Sequence, residues 1–238
     1  MVKKVYPSGY AFCIDKGIKT VDNDRKKGYL FTWQDCQHFD IFLLMIIKSA
    51  IYLTSVVSKD KILREGIDFA FVGRSNVGKS SLINSLVNQK KLCKTSSMPG
   101  RTRMINYFEI NNQFRFVDLP GYGYAKAGKE NKLIWANIME DYLLNTNCLK
   151  RVFMLIDCRI EPTELDKRMA KFLYFNQIPF SIIATKVDKL PKTKIPMYIQ
   201  KCASALGVGK ANILAYSSEN GYNREKVLEI VEQDLANI

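Results

Sequence analysis

The chain has one histidine, His38, and none of its cysteines are paired as C-x-x-C. A His-based catalytic triad and a multi-histidine metal site are therefore excluded. The longest wholly apolar run, Ile41–Ile47, is seven residues, against the roughly 18 that span a bilayer, so no stable membrane insertion is expected. Residues 1–30 contain no apolar core of signal-peptide length, which argues against secretion. The six cysteines (Cys13, Cys36, Cys93, Cys148, Cys158, Cys202) are expected to be reduced, mostly buried thiols of a cytoplasmic protein. Acidic side chains are also scarce. Only 23 Asp and Glu face 36 Lys and Arg, a net charge of +13 over 238 residues. That surplus calls for a polyanionic partner, nucleic acid or an anionic membrane surface. With 47% apolar and 25% charged residues, the composition rules out wholesale disorder.

The surplus is uneven, with +2 on residues 1–44 and +11 on residues 45–238. The first 44 residues show neither alternation nor a helical stripe and are broken by Pro7, Gly9, Gly17 and Gly28. They fit an N-terminal extension, either a true appendage or the product of an early start codon; the expectation is that Met45 is the natural start. From residue 67 the pattern becomes regular. Ile67–Val72 is an apolar run expected of a strand buried on both faces. Met104–Ile110 and Gln113–Leu119 read as a hairpin turned by Asn111-Asn112. Val152–Ile156, Phe180–Ala184 and Ile213–Tyr216 read as further strands. Helices are expected over Ser80–Asn88, Leu133–Leu144, Ile195–Leu206 and Glu225–Leu235, with another opening at Pro162. This alternation predicts an α/β sandwich: a mostly parallel sheet, one antiparallel edge strand, and helices on both faces.

Gly73-Arg74-Ser75-Asn76-Val77-Gly78-Lys79-Ser80 fits G-x-x-x-x-G-K-[ST] between an expected strand and an expected helix. Its glycines let successive N–H groups point at phosphate oxygens, Lys79 brings a cation to the β- and γ-phosphates, and Ser80 offers a hydroxyl to Mg²⁺. Asp118-Leu119-Pro120-Gly121 lies 39 residues beyond Lys79 at a strand end. An acid there holds magnesium through water, and the Gly121 N–H senses a γ-phosphate. Between them, Thr95–Thr102 is polar and turn-rich, and Thr102 is the candidate second hydroxyl on the metal. Lys79, Ser80, Thr102 and Gly121 are the expected catalytic set.

A phosphate loop does not separate ATP from GTP. Thr185-Lys186-Val187-Asp188 falls at the carboxyl edge of the sheet, where nucleotides bind in open α/β folds. A carboxylate there accepts from guanine N1–H and N2–H₂, which adenine does not offer. The Lys186 stem covers the base, and Ser217-Ser218-Glu219 turns backbone N–H groups toward guanine O6.

These motifs in this order resemble the translation-factor-like (TRAFAC) GTPases. The strings GRSNVGKSSLIN, TSSMPGRTRMINYF, VDLPGYGYAKA, IATKVD and SSE are similar to the bacterial EngB family, also called YihA or YsxC, over residues 45–238. The resemblance implies a Ras-like fold with six strands in the order 2-3-1-4-5-6, GTP hydrolysis, a role in large ribosomal subunit assembly, and a need for the protein in cell division and septation. It also places nucleotide contacts at Gly73–Ser80, at Gly100, Arg101, Thr102, Arg103 and Met104, at Asp118–Gly121, at Thr185–Asp188 and at Ser217–Glu219, with Ser80 and Thr102 on magnesium.

Phosphoryl transfer to water needs charge neutralisation and an aligned water. After D-x-x-G, where Ras-like enzymes carry a water-orienting glutamine, this chain has Tyr122. Slow intrinsic turnover is expected, accelerated from outside by ribosomal particles or by K⁺ held by the Asn76 amide oxygen; the other reading gives Asn76 a hydrogen bond within the loop. Tyr122 and Tyr124 are expected to pack within the second switch rather than stack on bases. Lys90, Lys91, Lys94, Arg101, Arg103, Lys126, Lys129, Lys132, Lys189, Lys192, Lys194 and Lys201 point to ribosomal RNA or a large-subunit precursor, bound by a monomer. Competing readings are a nucleotide-gated assembly scaffold and an ATP-dependent kinase, although no acceptor-binding or lid element is found for the latter.

Overall fold

The computed structural model describes residues 10–12, 43–93, 104–122 and 129–237. The chain divides into two compact units, Met1–Ile46 and Ile47–Ile238. In the first, β1 (Tyr10–Phe12) pairs antiparallel with β2 (Leu43–Met45). The second holds β3 (Ala50–Val56), β4 (Asp68–Gly73), β5 (Ile105–Ile110), β6 (Phe114–Asp118), β7 (Leu149–Asp157), β8 (Phe180–Thr185) and β9 (Ile213–Ala215). Its helices are α1 (Lys79–Leu86), α2 (Lys129–Asn145), α3 (Glu164–Phe175), α4 (Ile195–Leu206) and α5 (Arg224–Ala236).

One sheet of seven strands runs β3-β5-β6-β4-β7-β8-β9. Counted from β4, six of them follow the expected 2-3-1-4-5-6 order. The seventh, β3, corrects the strand count. It pairs antiparallel with β5, which is itself antiparallel to β6. The one reversed strand, β5, is thus enclosed rather than lying at the edge. The hairpin turn helps hold β3: Asn111 Oδ1 accepts from the Lys48 and Ser49 amides at 2.7 and 3.1 Å. Asn111 and Asn112 both adopt the left-handed conformation, with φ of 53° and 54°, which asparagine tolerates.

β4 is buried along its whole length, as a central parallel strand must be. One of its faces is aromatic: Phe71 meets Phe116 edge-on at 5.1 Å and stacks on Phe153 at 5.3 Å. The other presents Ala70 and Val72 to a core shared with Ile138 and Tyr142 of α2, Leu173 of α3 and Ile199 of α4. α1 and α5 pack against each other, and α1 also touches β4 and β6. α3 begins at Glu164, two residues later than the sequence suggests. Pro162 precedes the N-cap, and Thr163 caps the helix in a reciprocal box with Asp166, satisfying amides that would otherwise lack acceptors. Cys93, Cys148, Cys158 and Cys202 are free and buried; Cys13 and Cys36 lie outside the described residues.

Candidate functional site

The four described motifs converge at the carboxyl ends of β4, β6, β8 and β9. β4 stops at Gly73 because nothing larger fits: a Cβ there would lie 2.8 Å from Val77 Cγ1 and 2.9 Å from the Leu155 carbonyl. The chain then curls through Asn76 (φ 63°) and Gly78 (φ 113°), and α1 begins at Lys79. A helix start leaves amides without intrahelical acceptors and carries the positive end of the dipole. Gly78 and Lys79 thereby present the loop's donors as an anion cradle.

Lys79 is buried, with its ammonium 3.8 Å from Asp118 Oδ1. Burial pushes the Asp118 carboxyl upward against the pull of that ammonium. Oδ1 is buried and accepts no hydrogen bond among the described residues. An orphaned carboxylate oxygen 3.8 Å from the ammonium of Lys79, the residue before Ser80, suits a hard cation such as Mg²⁺, which takes few protein ligands and keeps waters and phosphate oxygens. Among the described residues no group of three His, Cys, Asp or Glu side chains could hold a metal ion.

Gly121 lies directly under the loop, where a Cβ would sit 3.1 Å from the Ser75 amide. The next residue laces the two segments together: Ser75 N donates to the Tyr122 carbonyl at 3.4 Å and Tyr122 N to the Gly73 carbonyl at 3.3 Å. The Tyr122 hydroxyl donates to Asp166 Oδ1 at 2.8 Å, a partner on α3 rather than within the second switch; Tyr124 lies outside the described residues. Leu119 and Pro120 are buried. A cleft of about 230 Å³ separates the loop from the start of α3, with Asn76, Arg159, Pro162 and Lys186 in its wall.

In the base-reading segment Thr185 faces inward, its Oγ1 2.7 Å from the Val77 carbonyl and 3.0 Å from the Ile156 carbonyl. It pins this segment to the phosphate loop. Lys186, in the left-handed conformation, lays its stem across the loop and donates to the Asn76 carbonyl (2.8 Å) and Asp157 Oδ2 (2.9 Å). Val187 is buried and donates its N–H to the Tyr216 carbonyl. Asp188 accepts from Ser217 Oγ at 2.7 Å and pairs with the Lys189 ammonium at 3.0 Å. Burial raises its carboxyl, but these partners outweigh burial and hold it below the usual range. Ser217 N–H is committed to the Tyr222 carbonyl and Glu219 N–H to Ser217 Oγ. Of the three serine-loop amides, only that of Ser218 donates no hydrogen bond among the described residues.

Gly100, Arg101, Thr102 and Arg103 lie outside the described residues, so the proposed second hydroxyl on magnesium has no structural counterpart here. Met104 is exposed just ahead of β5.

Sequence reasoning missed Asn84. One turn beyond Ser80, its buried amide accepts from Cys93 N at 2.7 Å and donates to the Cys93 and Lys90 carbonyls at 2.9 and 3.3 Å. Cys93 Sγ is in turn 3.8 Å from Asp118 Oδ2. The available signal was a polar residue flanked by Leu82, Ile83 and Leu86.

A family profile described as "50S ribosome-binding GTPase" matches residues 68–186. A probable GTP-binding protein EngB of Clostridium kluyveri is 47% identical over 190 residues, covering 79% of this chain and 96% of its own. Another from Fusobacterium nucleatum is 43% identical over 196 residues, covering 81% of this chain and all of its own. Among solved structures, that of a probable GTP-binding protein engB aligns with a TM-score of 0.60 at 24% identity, covering 72% of this chain and 100% of that one; it supports the fold.

Proposed function

Because the chain belongs to the EngB family of GTP-binding proteins, a GTPase family, we propose that it is a slow GTPase acting as a nucleotide-dependent switch in large ribosomal subunit assembly, and that normal cell division and septation depend on it. The observation that carries this reading is the lacing of Gly121–Tyr122 to the phosphate loop. A γ-phosphate in the cradle would lie beside the segment that reports it.

In this reading the amides of Gly73–Ser80 and the Lys79 ammonium hold the phosphates. Ser80 and Thr102 would hold Mg²⁺ directly and Asp118 through water, and the ion would supply positive charge against the phosphates. Asp188 receives guanine N1–H and N2–H₂, Ser218 N–H meets O6, and the Lys186 stem covers the ring. Exchange of Ser217 and Lys189 for the base costs Asp188 little, since its oxygens pass from one set of donors to another. Turnover is slow because Tyr122 carries no group that aligns water and its hydroxyl is committed to Asp166.

The accelerating factor comes from outside, from ribosomal particles or from K⁺ at Asn76. The Asn76 side chain is exposed and makes no hydrogen bond among the described residues. The test is multiple-turnover GTP hydrolysis with and without large-subunit particles, in K⁺ and in Na⁺. Stimulation by particles is expected, and a K⁺ advantage that Asn76→Ala removes. Hydrolysis indifferent to particles would reduce the protein to a scaffold, and equal rates in both salts would discard the K⁺ site.

A further inference from the structure

Residues 186–212 contain six lysines and a single acidic residue, Asp188. Elsewhere many surface cations find carboxylates: Arg64 pairs with Asp141, Arg151 with Asp234, Lys167 with Glu164. Lys192, Lys194 and Lys201 are exposed and pair with no carboxylate among the described residues. Their placement is locally unfavourable. Lys192 and Lys194 form the 3-10 turn that leads into α4, Lys194 is the N-cap, and the first turn holds no acidic residue. Cations at that end of a helix oppose its dipole, and nothing described within the fold offsets them.

The helix geometry aligns these charges. Lys194, Tyr198 and Lys201 stand at i, i+4 and i+7, one stripe on α4. The opposite side, Ile199, Cys202 and Ala203, is buried in the core. The Lys201 ammonium lies 5.9 Å from the centroid of the Tyr198 ring, and both residues border a groove of about 670 Å³ that also contains Arg159 and Glu161. Arg159 is committed to Asp157 at 2.7 Å. Lys189, three residues before Lys192, is likewise committed, to Asp188 at 3.0 Å.

We propose that Lys192, Lys194 and Lys201 form the surface on which the protein docks the phosphate chain of RNA, with Tyr198 as a stacking platform. The inference rests on the reading that the partner is RNA and assigns the face that binds it. A membrane surface fits less well. An interfacial helix needs a free apolar face, and that of α4 is spent on the core.

The probe is a single-stranded poly(A) oligomer titrated by fluorescence anisotropy across a salt series, with phosphatidylserine vesicles in parallel. The combined variant Lys192→Ala, Lys194→Ala, Lys201→Ala is expected to lose about tenfold or more in RNA affinity, with a log–log salt slope shallower by about 2. Its GDP affinity should be unchanged, as should RNA binding by the control Lys171→Ala, Lys226→Ala on other helices. Tyr198→Ala should weaken binding several-fold at an unaltered salt slope. If the wild type binds RNA and the triple variant matches it in affinity and slope, this face is not the docking surface, although the RNA reading survives. If the wild type binds no RNA, both fall. If vesicles bind the wild type more tightly than RNA and the triple variant loses that binding, the occupant is lipid and the proposal is overturned.

Discussion

The Tyr122 hydroxyl reaches 2.8 Å to Asp166 Oδ1, while Asp166 Oδ2 accepts from the Thr163 amide and hydroxyl. One carboxylate therefore ties the residue after D-x-x-G to the cap of α3. Its two oxygens serve different masters, one a loop that touches the phosphate cradle and the other a helix start.

This sharing predicts a graded pair of variants. Tyr122→Phe loses one hydrogen bond, about 1 kcal/mol in denaturant unfolding, and changes intrinsic GTP hydrolysis little, because the hydroxyl is not positioned toward water. Asp166→Ala removes the capping box as well and should cost about 2–3 kcal/mol. Equal losses for the two would show that the cap contributes nothing.

Asn84→Ala should be the more damaging change near the site. It strands the Cys93 amide and carbonyl in a buried setting, a loss of about 2–3 kcal/mol. It also frees Cys93 from its anchor on α1, so bound GDP should dissociate faster in stopped-flow exchange. Unchanged stability with unchanged release would contradict the clamp.

Asp157 gives a pH prediction. Burial raises its carboxyl, but the Arg159 and Lys186 hydrogen bonds outweigh burial and bring it to about 2, below its ordinary 3.8. A folded-state value lowered in this way stabilises the fold above pH 4, and the contribution disappears as pH falls through 4 toward 2. In Asp157→Asn the thermal midpoint should therefore decline less steeply across that window than in the wild type.

Asp188→Asn tests the base-reading assignment. An amide presents one acceptor and one donor where guanine offers two donors, so GTP affinity should fall on the order of a hundredfold while xanthosine triphosphate gains. Calorimetry with both nucleotides decides it, and a retained GTP preference would falsify the role given to this carboxylate.

Much of this was legible from the chain alone, for identifiable reasons. Gly73 and Gly78 announce the loop because no side chain fits one position and few adopt the backbone of the other. Thr185 and Asp188 were found because they follow a buried strand. What stayed hidden depends on distance. The stretch after Ala50 reads as strand-like, but its place in the sheet does not show: its Ile51, Tyr52 and Leu53 are all exposed, and its partner lies some 55 residues away in sequence. Asn84 likewise reads as an interruption of a helical stripe until Cys93 is seen against it.

The added strand also moves the boundary of the sheet. β3 presents Ile51, Tyr52 and Leu53 on an outer strand, the kind of border that recruits a stray chain. A bulge between Tyr52 and Thr54 leaves Leu53 without a register partner and breaks the strand into two three-residue runs, Ala50–Tyr52 and Thr54–Val56. An intruding strand would find no straight ladder longer than that, so the irregularity works as a guard against self-association during refolding and at high concentration.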